Sequence, residues 1–165
     1  MKRKLRIAAI SLAALFIVLL LANYDDILEE RARQFTAAAW EGNLTKMRIL
    51  HWLGADMNGD APGMGPAIVS AAGNGHAKIV EYLLDHGADI NARRKINNTP
   101  IQQAASNRHL EIVRLLLSKG ANANIVGDGG SALHVAVEKG YTDIAELLRQ
   151  HGAKDCREYQ FNQCS

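Results

Sequence analysis

Gly-Ala pairs recur at Gly54-Ala55, Gly87-Ala88, Gly120-Ala121 and Gly152-Ala153, at intervals of 33, 33 and 32 residues. A fixed period of this size constrains the fold more than any local pattern. Each unit is one supersecondary element whose apolar face can be buried only against its neighbours, so the units must stack. Each pair closes an apolar stretch with helical spacing: Met47, Ile49, Leu50 and Leu53 in the first unit, and Ile79, Val80, Leu83 and Leu84 in the second. The third has Ile112, Val113, Leu115, Leu116 and Leu117, and the fourth Ile144, Ala145, Leu147 and Leu148. A shorter helix rich in small residues precedes each, at Ala37-Ala38-Ala39, Ala71-Ala72, Ala104-Ala105 and Val135-Ala136-Val137. Tight turns separate the paired helices at Gly75-His76, Arg108-His109 and Gly140-Tyr141. Alanine lets helices approach closely, and a glycine after the second helix takes the left-handed conformation that ends it.

This pattern resembles the ankyrin repeat, with its TPLH-like opening, Ala-Ala pair, Gly-His turn, apolar second helix and Gly-Ala-Asp-x-Asn close. Repeat two has Ala71-Ala72, Gly75-His76, Ile79-Val80, Leu83-Leu84 and Gly87-Ala88-Asp89-Ile90-Asn91. Repeat three opens Thr99-Pro100-Ile101, and repeat four Ser131-Ala132-Leu133-His134. The resemblance covers about residues 31–154 and implies an all-α solenoid of paired antiparallel helices with short finger loops. Its four repeats fall at about 31–58, 59–91, 92–124 and 125–154, before a tail at 155–165. Three departures carry expectations. Repeat one has Arg33-Gln34 for the Thr-Pro opening and Lys46 at an apolar position, as suits an N-terminal cap with a soluble outer face. Its first helix begins early, in the 23–30 stretch, with Asp26-x-x-Glu29 as a capping-box variant. Repeat two has Pro66-Ala67 after a lead of Gly59, Pro62, Gly63 and Gly65, which predicts a looser finger. Repeat four is entered by a shorter loop, Ile125 to Gly130.

Ahead of the repeats, Ile7 to Ala22 runs 16 residues without a charge. As a helix this is roughly 24 Å, against a hydrocarbon core of about 30 Å. Lys2, Arg3, Lys4 and Arg6 precede it in the tail 1–6, and Asp25, Asp26, Glu29 and Glu30 follow. The positive-inside rule therefore holds the tail in the cytoplasm and sends the body across. In a bacterium this makes a single-pass inner-membrane protein with its C-terminal domain in the periplasm. A cleaved signal peptide is the competing reading, which would release the domain into the periplasm. A cut after Ala22 puts Leu20 where a small residue is wanted, so the uncleaved anchor fits better. The same charges explain the isoelectric point of about 8.6. Without those four residues the chain has 15 Lys+Arg against 17 Asp+Glu. That balance gives no drive toward phosphate backbones and argues against nucleic-acid binding.

No nucleophile sits in a motif with a base, and Gly127-Asp128-Gly129-Gly130 lacks the Lys-Ser/Thr of a phosphate loop. Six histidines raise a metal site, but His76 and His109, and His86 and His151, stand at repeat-equivalent positions. Sites one repeat apart are about 10 Å from each other, too far to share a zinc ion. The expectation is no catalytic residue, no metal and no cofactor, with His134 bonding within its repeat. Cys156 and Cys164 are the only cysteines. In an oxidising compartment a bridge between them closes a loop of about nine residues, worth roughly 2–3 kcal/mol. It would fold the tail over repeat four, with Tyr159 and Phe161 as cover.

The resemblance also implies a protein partner, bound on the concave side made of finger tips and first helices. Carried over, the variable pair after Ala-Ala gives Trp40 and Glu41, Gly73 and Asn74, Ser106 and Asn107, and Glu138 and Lys139. The finger of repeat three adds Arg93, Arg94 and Lys95, which would steer an acidic partner or stand as a solvated loop. Trp40 is either a binding anchor or packed against the membrane-proximal helix. Two functions fit: an interaction scaffold on the outer face of the inner membrane, or a periplasmic inhibitor, such as an immunity protein that blocks a toxin or secreted enzyme.

Overall fold

The computed structural model describes residues 24–61, 63–93 and 98–156. Helices α1 (Tyr24–Glu41) and α2 (Leu44–Trp52) form the first unit. A hairpin of β1 (Asp60–Ala61) and β2 (Gly65–Pro66) leads into α3 (Ala67–Gly73) and α4 (Ala77–Asp85). Then follow α5 (Pro100–Ser106) with α6 (Leu110–Ser118), and α7 (Ala132–Glu138) with α8 (Thr142–Gln150).

The first helices, α1, α3, α5 and α7, lie side by side as an inner row, and the second helices form an outer row. Alanine decides this spacing. Ala38, Ala39, Ala71, Ala72, Ala104, Ala105 and Ala136 are all fully buried between inner helices. No side chain longer than a methyl holds the backbones apart at those points. The outer row is built on Ile79, Val80, Leu83, Ile112, Leu116, Ile144 and Leu148, which are larger and also buried.

The closing asparagines explain why the register is kept from unit to unit. Asn58 Oδ1 accepts the Asp89 N–H at 2.7 Å, Asn91 Oδ1 the Asn122 N–H at 2.9 Å, and Asn124 Oδ1 the Lys154 N–H at 2.7 Å. One side chain per unit thus ties each finger to the next. Gln102, itself buried, does the same from inside repeat three: its Nε2 donates to Ile125 O at 3.0 Å and Gly130 O at 2.6 Å. Its Oε1 accepts from the Thr99 N–H and hydroxyl at 2.8 and 3.0 Å. All four hydrogen-bonding contacts of this amide fix the base of the fourth finger against the N-terminus of α5.

Three expectations are corrected. Asp26 is not a helix cap, because α1 is already helical at Tyr24 and Asp26 is its third residue. The second finger is paired rather than loose: Asp60 faces Pro66 and Ala61 faces Gly65. Gly63 at φ 81° and Gly65 at φ 74° supply the positive dihedrals that close the turn, and the Met64 N–H donates to Ala61 O at 2.9 Å. Glycines there tighten the loop instead of loosening it. The outer face of repeat one is also not uniformly soluble, since Ile27, Ile49, Trp52 and Leu53 are exposed. The apolar segment 7–22 lies outside the described residues, and among the described residues no helix is long and apolar enough to cross a membrane.

Candidate functional site

The C-terminal ends of the inner helices carry the variable pairs, and a groove of about 150 Å³ runs between the first three of them. Trp40, Val69, Ser70, Gly73, Asn74, Gln103 and Asn107 line it. Trp40 stands at the rim, 52% exposed, so it is not packed away beneath a neighbouring helix. Its carbonyl accepts the His76 Nε2–H at 2.9 Å, which pins the turn that presents the indole. Asn74 Nδ2 donates to Ser70 O at 2.8 Å, and Asn107 Nδ2 to Gly73 O at 2.9 Å. His109 Nε2 donates to the same Gly73 carbonyl at 3.1 Å. Each amide therefore spends one donor holding itself in place, while a primary amide has a second N–H and an acceptor oxygen to offer.

Of the residues expected on this face, the fold gathers Trp40, Gly73, Asn74 and Asn107 into the groove. Ser106 and Lys139 continue the strip one repeat on, where Lys139 Nζ donates to Ser106 O and Oγ at 2.8 and 2.9 Å. Glu41 turns instead to Lys46, 3.8 Å away on α2. Glu138 and Arg93 are exposed and outside the groove, and Arg94 and Lys95 lie outside the described residues. Val69, Ser70 and Gln103 were not expected. They sit four residues before Gly73, Asn74 and Asn107, so the i, i+4 rule would have found them.

The histidines are used structurally. His86 Nδ1–H donates to Tyr82 O at 2.7 Å and His151 Nδ1–H to Leu147 O at 2.9 Å, each capping its own helix end. His51 Nδ1 meets the Tyr82 hydroxyl at 2.7 Å across the first two repeats. His134 reaches past its repeat's closing loop to Asp155 Oδ1, at 2.8 Å. Among the described residues no three His, Cys, Asp or Glu side chains gather closely enough to hold a metal ion. On the outer side Asp85 accepts a hydrogen bond from Lys119 Nζ at 2.9 Å, and that bond raises the lysine above its ordinary pKa. The pair is exposed and positions nothing in the groove.

A family model described as ankyrin repeats (3 copies) matches residues 35–127 and again 95–159. The chain belongs to the ankyrin-repeat family. The matched range opens at Phe35, about two-thirds of the way along α1 and the first buried residue among the described side chains of that helix. A search of the curated proteins finds no match. Membership of this family makes the chain a protein-protein interaction module, of a kind that is typically non-enzymatic.

At the other end of the ankyrin stack Cys156 is buried. Its N–H donates to Ser131 Oγ at 3.1 Å and its carbonyl accepts the Ser131 N–H at 2.7 Å. Ser131 Oγ also donates to Lys154 O at 2.7 Å. Cys164 lies outside the described residues. Beyond this clamp Ala136, Val137, Gly140, Thr142, Ala145, Glu146 and Arg149 line a second groove.

Proposed function

We propose that this ankyrin protein is a non-catalytic, membrane-anchored module that holds a protein partner in the groove under Trp40. The groove itself carries the reading: an indole at the rim, three amide side chains at Asn74, Gln103 and Asn107, and no charged lining. Tryptophan is among the residues enriched in binding hot spots. Anchoring and outward orientation rest on the basic tail 1–6 and the apolar segment 7–22 in the sequence. A photo-crosslinking residue at Asn107 is expected to give a discrete protein adduct in cells, and one at Glu111 on the outer row none. Trp40→Ala should weaken that adduct by at least about thirtyfold in partner affinity, the scale of a hot-spot loss. Adducts from Glu111 alone would sink the inner-face assignment. Reporters fused after residue 165 test the orientation separately. Activity of a cytoplasm-restricted reporter, and not of a periplasm-restricted one, would overturn it.

We also propose that Cys156 and Cys164 are bridged, so that the tail covers the groove at Val137 and Ala145. Cys156 is buried and, among the described residues, no cysteine is a free thiol. Cys164→Ser is expected to cost the oxidised protein roughly 2–3 kcal/mol, read as a lower Tm. Reductant should lower the parent to the same value and leave the variant unchanged. An unaltered Tm in the variant contradicts the bridge.

A further inference from the structure

The end of the stack nearest residue 24 is apolar where the other repeats are polar. Counting back from each closing glycine, Trp52 and Leu53 stand where repeat two has Asp85 and His86. Repeats three and four have Ser118 and Lys119, and Gln150 and His151, at those positions. Trp52 is 83% exposed, the largest exposure of any described large apolar side chain, and Leu53 is about half exposed. Ile49 lies three and four residues before them on the same helical face and is also about half exposed. Ile27 joins from α1, where it lines one groove with Leu50 and Leu53. Arg31 Nη1 donates to Leu53 O at 2.8 Å across this seam. Terminal repeats normally turn a polar face outward. Ile49 is exposed simply because no earlier repeat covers it, for its counterpart Tyr82 packs on His51 of the preceding unit. Trp52 and Leu53 have no such explanation.

The chain ahead of α1 says what covers this edge. The apolar run ends at Ala22, and α1 is under way at Tyr24. Ile27 is five residues past Ala22, which is about 7.5 Å along a helix and at most roughly 17 Å if fully extended. The headgroup layer beyond the hydrocarbon core is about 5–8 Å deep on each side. A body tethered that closely cannot move its N-terminal edge far from the bilayer. Tryptophan suits that layer, having an apolar body and one N–H donor. Attraction to anionic lipid is not the force, because Asp26, Glu29 and Glu30 are exposed on the same helix and Arg33 is engaged by Glu29 and Glu30.

We infer that Ile27, Ile49, Trp52 and Leu53 dip into the headgroup layer of the membrane spanned by residues 7–22, seating the repeat stack on the bilayer at a fixed angle. The inference rests on the anchor proposed above. The full chain with Trp40→Phe leaves Trp52 as its single tryptophan, because the parent has two. Reconstituted in phosphatidylcholine vesicles, its emission is expected to be blue-shifted and strongly quenched by brominated phosphatidylcholine. Leu53→Glu, at an exposed position, should reverse most of that quenching. The converse chain, Trp52→Phe, should leave Trp40 unquenched. A protein washed off by alkaline carbonate overturns the anchor and the docking together. A retained protein whose Trp52 emits as in water overturns the docking alone. Blue-shifted emission without lipid quenching assigns the cover to protein, and equal quenching of Trp40 makes the burial indiscriminate; either result also overturns the docking.

Discussion

Gln102→Glu is expected to destabilise the fold by roughly 3–5 kcal/mol at pH 7, the scale of an uncompensated buried charge. The parent amide donates twice, to the carbonyls of Ile125 and Gly130. A carboxylate in its place would turn lone pairs on both carbonyl oxygens in a site shielded from water. The glutamate must therefore be protonated to remain folded, so its folded pKa lies above the unfolded value of about 4.3. Between those two values the unfolded chain binds fewer protons than the folded one, and stability falls as pH rises. The deficit against the parent should be smallest near pH 4 and grow toward pH 7. About 1–2 kcal/mol should persist even in acid, because one carboxyl O–H cannot satisfy two carbonyls. Paired urea titrations of variant and parent across that range measure the difference directly. A deficit under about 1 kcal/mol that does not change with pH would mean that the Gln102 contacts do not hold the fourth finger.

Gly75→Ala has the second-largest expected effect, about 2–4 kcal/mol, or roughly 10 °C in Tm. Part comes from the backbone, which sits at φ 82°. The rest comes from the next repeat, since a Cβ there would stand 2.8 Å from His109 Cε1. The ring would have to leave and give up its bond to Gly73 O, loosening the groove as well as the stack. Gly87→Ala separates the two causes. It has φ 86° but nothing within 4 Å of the added methyl, so about 1–2 kcal/mol is expected there. In a His109→Ala background the cost of Gly75→Ala should fall to that level. Equal costs at Gly75 and Gly87 in the parent would refute the steric part. Arg108 shows the same rule already at work in the chain. It occupies the repeat position of Gly42 and Gly75 at φ 61°, and it is the only described residue other than glycine with positive φ. The facing residue of the next repeat is Tyr141 rather than histidine, and the Arg108 guanidinium lies 5.5 Å from that ring's centroid.

Much of this protein is legible in its sequence. The 33-residue period identified the repeat, the alanine pairs located the inner helices, and the closing glycines located the helix ends. All of these are local or strictly periodic signals, fixed by steric rules within one unit. The variable pairs after Ala-Ala were found the same way, and four of their residues do meet in the groove. Other features depended on distance along the chain. Asp26 looked like a cap because capping motifs resemble any acidic pair at that spacing, and only the helix already formed at Tyr24 showed otherwise.

The sequence by itself determined that apolar units must stack and where their closing glycines fall, because periodicity encodes nearest-neighbour burial. Only the tertiary structure decided which side chains cross between units. Gln102 reaching Gly130, His109 reaching Gly73 and Asn58 reaching Asp89 span 28 to 36 residues. It alone also showed that Trp52 is left uncovered. Both follow from what the next unit places opposite a residue, and a residue's own type and period do not contain that.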